Sequence, residues 1–176
     1  MTVTPVGTEF QVNTFTSGSQ NDPALAVEAD GNGDFIITWL SVGQDGDGSG
    51  VFAQRYSADG TPNGSEFQVN TFTSGSQWQP AVAVDEDGDF IITWPSEGQD
   101  GDDRGVFAQR YSADGTPNGS EFQVNTFTTG SQNSPDVAVD GDGDFIITWG
   151  SYSYLQTSET TKVFAQRYNA DGTPNG

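Results

Sequence analysis

Three acidic strings in this chain could hold a cation. Asp30-Gly31-Asn32-Gly33-Asp34, Asp85-Glu86-Asp87-Gly88-Asp89 and Asp140-Gly141-Asp142-Gly143-Asp144 put oxygen-bearing side chains at alternate positions, each just before a Phe-Ile-Ile-Thr-Trp string. Ca²⁺ takes about six to eight oxygens from flexible loops. Asp30, Asn32, Asp34, Asp85, Asp87, Asp89, Asp140, Asp142 and Asp144 are therefore the candidate ligands, and Ca²⁺ the candidate ion. The EF-hand pattern fails, because its glycine position holds Phe and its closing glutamate is Ser41, Ser96 or Ser151. Tight hairpins use the same Asp and Gly for backbone geometry alone. Both readings stay open at this point.

Other chemistry is thinly supported. With no histidine and no cysteine, neither a Ser-His nor a Cys-His pair can form, and there is no disulfide. Paired carboxylates could hydrolyse a glycoside, but one must be held protonated, and water-exposed Asp-Gly turns offer no apolar pocket for that. The expectation is a non-catalytic protein and no enzyme. A second acidic loop, Gln44-Asp45-Gly46-Asp47-Gly48, recurs at Gln99-Asp100-Gly101-Asp102-Asp103 but is replaced by Ser151-Tyr152-Ser153-Tyr154-Leu155-Gln156, so it reads as a solvated loop. Arg55, Arg110 and Arg167 recur within a strand and should pair with a carboxylate or a backbone carbonyl. Trp39, Trp94 and Trp149 share a strand face with Phe and Ile, which places them in the core. Trp78 stands where the other copies have Asn21 and Asn133. With Tyr152 and Tyr154 it forms the candidate ligand-binding surface, for a glycan above all; a chance substitution explains Trp78 equally well.

These residues are positioned by a repeat. Phe35, Phe90 and Phe145 lie 55 residues apart, and the strings Phe-Ala-Gln-Arg-Tyr and Phe-Gln-Val-Asn-Thr-Phe also recur three times. A period of this length means stacked or radial repeats. In the middle copy, Ala81–Val84 and Phe90–Trp94 flank an Asp-Gly turn, the strongest short hairpin signal. Val106–Tyr111 and Glu121–Phe127 alternate as two further strands. Each unit is thus a four-stranded antiparallel meander, and the chain is all-β.

Four strands per unit predict a β-propeller, with blades at roughly 21–70, 78–125 and 133–176 of a single domain, 1–176. The strand 7–15 carries the string that would complete the last blade and is expected to close it, in its own chain or in its partner's. Three blades are too few for a ring, so two chains should form a six-bladed homodimer. Stacked β-sandwich modules would explain the period but not the matching ends.

With 25 acidic residues against five basic ones, the formal charge is −20. Such a surface repels nucleic acid and anionic membranes. No apolar run is long enough to insert in a membrane, and no secretion signal stands at the N-terminus. The chain reads as an excised or engineered piece of a larger protein.

The strings Glu-Phe-Gln-Val-Asn-Thr, Phe-x-x-Thr-Trp, Gly-Gln-Asp-Gly and Gln-Arg-Tyr-x-x-Asp-Gly resemble tandem repeats of very large secreted bacterial proteins. Those often accompany calcium-binding glycine/aspartate repeats of the toxin-like secretion class, and many are called adhesins. The resemblance implies an extracellular, calcium-rich setting and no reaction. The combined expectation is a non-catalytic, self-assembling propeller module, stabilised by calcium. The alternatives are a linear calcium-dependent adhesin segment and a propeller lectin.

Overall fold

A computed structural model describes residues 7–28, 30–155 and 158–176, and the side chains of all of these except 153–155 and 158–160. The described chain is all-β and propeller-like. The first sheet holds β1 (Gln20–Val27), β2 (Phe35–Val42), β3 (Ser49–Tyr56) and β4 (Phe67–Gln68) in sequential order. β5 (Ala81–Val84), β6 (Phe90–Glu97), β7 (Arg104–Tyr111) and β8 (Phe122–Gln123) repeat it. β9 (Ser131–Val139), β10 (Phe145–Leu155) and β11 (Ser158–Tyr168) form a third antiparallel group, the third sheet, which one parallel bridge joins to β7 in a seven-stranded path. Neighbouring strands within each sheet are antiparallel, while single parallel bridges, Ser49 to Ser76 and Arg104 to Ser131, tie successive sheets at one rim.

The sheets pack face to face through two apolar layers. Ile36, Val51 and Val69 of the first sheet meet Phe90, Ile92 and Trp94 of the second. One repeat later, Ile91, Val106 and Val124 meet Phe145, Ile147 and Trp149. Strand alternation sends Ile91 to one neighbour and Ile92 to the other, which is why the central strands are apolar on both faces. Burying side chains of this size stabilises by roughly 1.5–3 kcal/mol each.

The fourth strand is much shorter than the alternation of Glu121–Phe127 predicts. Val124 N–H donates to Val106 O (2.8 Å), but Val106 N–H finds the Asn125 side chain, Oδ1 at 2.7 Å, in place of a main-chain carbonyl. Val51 N–H meets Asn70 Oδ1 in the same way at 2.7 Å. Each asparagine substitutes its amide for one rung of the ladder and lets the chain turn away.

The N-terminal segment sits against the first sheet, not the third. Tyr56 Oη–H donates to Val12 O (3.2 Å), and Glu66 Oε2 accepts from Thr14 N–H (2.6 Å) and its hydroxyl (2.9 Å). Among the described residues, β11 pairs with β10 alone, and the segment expected to close the last sheet does not lie beside it.

Candidate functional site

The acidic strings form the β1–β2, β5–β6 and β9–β10 turns, where the Asp side chains first serve their own backbone. Asp85 Oδ1 accepts from Asp87 N–H (3.0 Å) and Asp89 N–H (2.9 Å), and Asp140 Oδ1 from Asp142 N–H (3.1 Å) and Asp144 N–H (3.0 Å). The last Asp of each turn reaches the loop between the third and fourth strands. Asp34, Asp89 and Asp144 accept from the N–H of Ala58, Ala113 and Ala170, each at 2.9 Å. Gly88 and Gly143 adopt φ of +83°, which the turn requires.

The first turn departs from the other two. Val27 pairs with Phe35, whereas Val84 pairs with Phe90 and Val139 with Phe145, so the first turn is two residues longer. Asp30 accepts from Asn32 N–H (2.9 Å), and Asn32 Oδ1 from Asp34 N–H (2.7 Å). Counting back from the shared Phe hides the insertion. Among the described residues, no three carboxylates are grouped as a metal ion needs.

The structure does gather acids from two different turns. A cleft of about 150 Å³ between the second and third sheets is bordered by Asp85, Asp87 and Asp89 on one side and Asp142 and Gly143 on the other. Phe90, Tyr111 and Phe145 form its apolar floor. Burial pushes the Asp85 carboxyl up from the ordinary aspartate range; the N–H groups of Asp87 and Asp89 oppose that, and the nearby charges of Asp89 and Asp87 add to it. A Cβ at Gly143 would stand 3.3 Å from Asp85 Oδ2, so the glycine lets the two walls approach.

The matching cleft between the first and second sheets is nearly filled, at about 10 Å³. There Glu28 reaches the opposite turn, with Oε1 3.1 Å from where a Cβ of Gly88 would lie. The side chain one methylene shorter at Asp85 leaves the second cleft open. Reading the acidic strings as a repeated set missed this difference, although Val-Glu against Val-Asp was visible in the sequence.

Two of the three recurring arginines span two sheets. Arg55 Nη1 donates to Ala113 O, and Arg110 Nη1 to Ala170 O. Trp78 is half-buried, and the Arg104 guanidinium covers its ring at 5.0 Å from the centroid. Tyr152 is exposed on β10, lying beside Gly150. The side chain of Tyr154 falls outside the described residues. Neither Trp78 nor Tyr152 borders the acidic cleft.

No family model and no curated protein matches the sequence. Solved structures do match. An N-acetylgalactosamine deacetylase from F. plautii in complex with blood group B trisaccharide is similar at TM-score 0.56 and 11% identity, over 92% of this chain and 52% of that one. A Penicillium chrysogenum alpha-L-arabinanase complexed with arabinobiose follows at TM-score 0.55 and 13% identity, over 88% and 49%. An endo-arabinase from Bacteroides thetaiotaomicron matches at TM-score 0.51 and 17% identity, over 93% and 58%. The chain spans between about half and three-fifths of these proteins' lengths. At such identities the likeness is one of fold.

That fold is one on which glycan-acting enzymes are built, and this corrects two expectations: that the chain is a non-catalytic module, and that it is no enzyme. The physical ground for them also fails. The exclusion rested on fully hydrated Asp-Gly turns, whereas sheet packing partly buries Asp85 and raises its carboxyl.

Proposed function

We propose that the chain is a glycan-acting propeller unit whose working site is the acidic cleft between the second and third sheets. The observation that carries this reading is Asp85, desolvated on one wall with Asp142 on the other. A carboxyl whose hold on its proton is strengthened by burial, facing a second carboxylate, is the kind of pairing that glycoside hydrolysis uses. Asp85 gives its proton to the leaving glycosidic oxygen. Asp142 takes a proton from the water that adds to the anomeric carbon. Arg110 borders the same cleft and holds the turn at Ala170, which fixes the spacing of the walls. Two of the similar structures are an endo-arabinase and an alpha-L-arabinanase complexed with arabinobiose, which supports an arabinose-containing polysaccharide as the first substrate class to try.

The finer architecture belongs to the same reading. Each sheet is a blade, the chain carries three, and two chains close a six-bladed ring. The resemblance to secreted bacterial repeat proteins supports an extracellular setting.

The test is reducing-end release from a polysaccharide panel headed by arabinan, with calorimetric binding of arabinobiose alongside. Asp85→Asn and Asp142→Asn should each lose at least about 100-fold in turnover, and Asp85→Asn should still bind the disaccharide. A folded wild-type chain that neither releases reducing ends nor binds any member of the panel overturns the proposal.

A further inference from the structure

At the outer edge of β11 the repeated pattern of burial is broken. Val51 and Val106, at the same position in β3 and β7, are 0% exposed, whereas Val163 is 81% exposed. In the first two sheets this edge is covered by the fourth strand. Phe52 pairs with Gln68 and Ala53 with Phe67; Phe107 pairs with Gln123 and Ala108 with Phe122. Val69 N–H and Val124 N–H donate to Val51 O and Val106 O, both at 2.8 Å. An uncovered edge with an apolar side chain is a template for another strand.

The strand that fits is present at the other end of the chain and is half-installed. Glu9-Phe10-Gln11-Val12-Asn13-Thr14-Phe15 repeats Glu66–Phe72 and Glu121–Phe127 letter for letter. It already makes several of the contacts that those segments make with the sheet that follows them. Tyr111 Oη–H meets Val69 O as Tyr56 Oη–H meets Val12 O, and Thr71 meets Glu121 as Thr14 meets Glu66. Asn13 Nδ2 holds Phe15 O (2.7 Å) and Gln20 Oε1 (3.3 Å), copying Asn125 with Phe127 O and Gln132 Oε1. Among the described residues, no sheet packs on its other side as the first and second sheets do on Glu66–Phe72 and Glu121–Phe127. Asn70 Oδ1 and Asn125 Oδ1 each accept a valine N–H, and among the described residues Asn13 Oδ1 has no such donor. Val12 and Asn13 are correspondingly part-exposed where Val69 and Asn70 are buried.

The faces beside these edges match as well. Leu25 and Val27 are exposed on the outer face of the first sheet, and Ile146 on the outer face of the third, where its counterparts Ile36 and Ile91 are buried. Arg167 is exposed too, although Arg55 and Arg110 each reach a carbonyl of the next sheet's turn.

We propose that the β11 edge binds the segment Glu9–Phe15 of a second copy of this chain, by strand addition. The partner's Val12 N–H donates to Val163 O, and Val163 N–H donates to the partner's Asn13 Oδ1. Arg167 donates to Ala58 O of the same partner. Made twice about a two-fold axis, this junction closes the ring; it therefore rests on the six-bladed reading above and names the contact that reading requires.

The experiment uses the intact chain, in solution, with mass measured by light scattering. The wild type should be a dimer of about twice 18.7 kDa. Val163→Asp changes an exposed residue, so it should leave the circular dichroism spectrum unchanged and yield monomer. Because the chain has no cysteine, pairing can be read directly. A Gln11→Cys chain and a Phe164→Cys chain, oxidised as a mixture, should give a disulfide-linked pair; either chain oxidised alone should not. A wild-type monomer overturns both strand addition and the ring. A dimer that survives Val163→Asp and gives no mixed disulfide overturns strand addition while the ring stands. Species larger than a dimer that do give the mixed disulfide support strand addition and overturn the ring.

Discussion

Phe10 packs on Tyr56 with ring centroids 5.3 Å apart, as Phe67 packs on Tyr111 at 5.4 Å and Phe122 on Tyr168 at 5.6 Å. A second ring completes each site from the sheet's own hairpin: Phe35, Phe90 or Phe145 stacks on the same tyrosine at 4.8–5.1 Å. Every junction is thus a three-ring cluster in which the first ring comes from the preceding repeat. The repeat is a unit of sequence but not a unit of packing, since its last strand works for the next sheet as much as for its own.

Unequal costs of truncating that first ring should follow. Phe67 is held on both sides, and Phe67→Ala should cost about 3 kcal/mol, the low end for a part-buried ring. Phe10 is half-exposed in the single chain. Phe10→Ala should cost about 1 kcal/mol in dilute solution, where second copies are scarce. Urea unfolding at two protein concentrations checks this, and equal losses for both variants would show that the segment is held from both sides already.

Buried asparagine amides carry a ladder rung, and their removal should be more damaging than their size implies. Asn125 accepts from Val106 N–H and donates to Asp100 (3.1 Å), Phe127 O (3.1 Å) and Gln132 (3.1 Å). Asn125→Ala leaves a fully buried N–H without a partner, a loss of about 2–3 kcal/mol. Asn125→Asp keeps the acceptor but sets a charge beside Asp100 and should be no better. Amide hydrogen exchange at Val106 is the direct readout: in Asn125→Ala it should quicken while the β6 amides hold.

The strand order and the turns were legible in the sequence because hairpin chemistry is local. Asp-Gly with φ near +83° at Gly88 and Gly143 needs nothing from the rest of the chain. The two-faced core could also be read, since Phe-Ile-Ile-Thr-Trp has no polar face to leave in water. What escaped were properties of the space between sheets. The Asp85 environment depends on a turn more than fifty residues away, and no residue near it in sequence records that burial. The exposed platform expected at Trp78 failed to anticipate Arg104, which covers the ring from the neighbouring strand β7. The short fourth strand was hidden because alternation continues through Asn70 and Asn125 after their backbones have left the ladder.

Asp85 should oppose stability at neutral pH and serve the cleft at that cost. Its folded carboxyl lies above the unfolded value, so its contribution is most favourable below the unfolded value, near pH 4, and is lost as pH rises through the folded one. Asp85→Asn keeps an oxygen for the Asp87 and Asp89 N–H groups and removes the charge. It should therefore raise the unfolding free energy at pH 7, by no more than about 1 kcal/mol given the partial exposure, and make no difference at pH 3. A variant less stable than wild type at pH 7 would mean that the ionised carboxylate is a net stabiliser there. Because the same change should abolish turnover, stability and activity are expected to move in opposite directions.

The three junction tyrosines set the alkaline limit of the fold. Burial pushes Tyr168 up to about 12 and Tyr111 higher still, with the Glu121 carboxylate adding to the latter. Burial and then Glu66 raise Tyr56 as well. Raised phenols stabilise the native state fully below about pH 10, where the unfolded chain keeps its protons too. That stabilisation drains away as pH climbs from there towards the folded values. Absorbance at 295 nm should thus show the junction phenols ionising together with the loss of near-ultraviolet circular dichroism, between about pH 10 and 12. Tyr111→Phe loses only a 3.4 Å bond to Val69 O and should shift that transition to higher pH. Phenolate absorbance that develops fully near pH 10, with the dichroism intact, would mean that the three-ring junctions are open to water in the native chain.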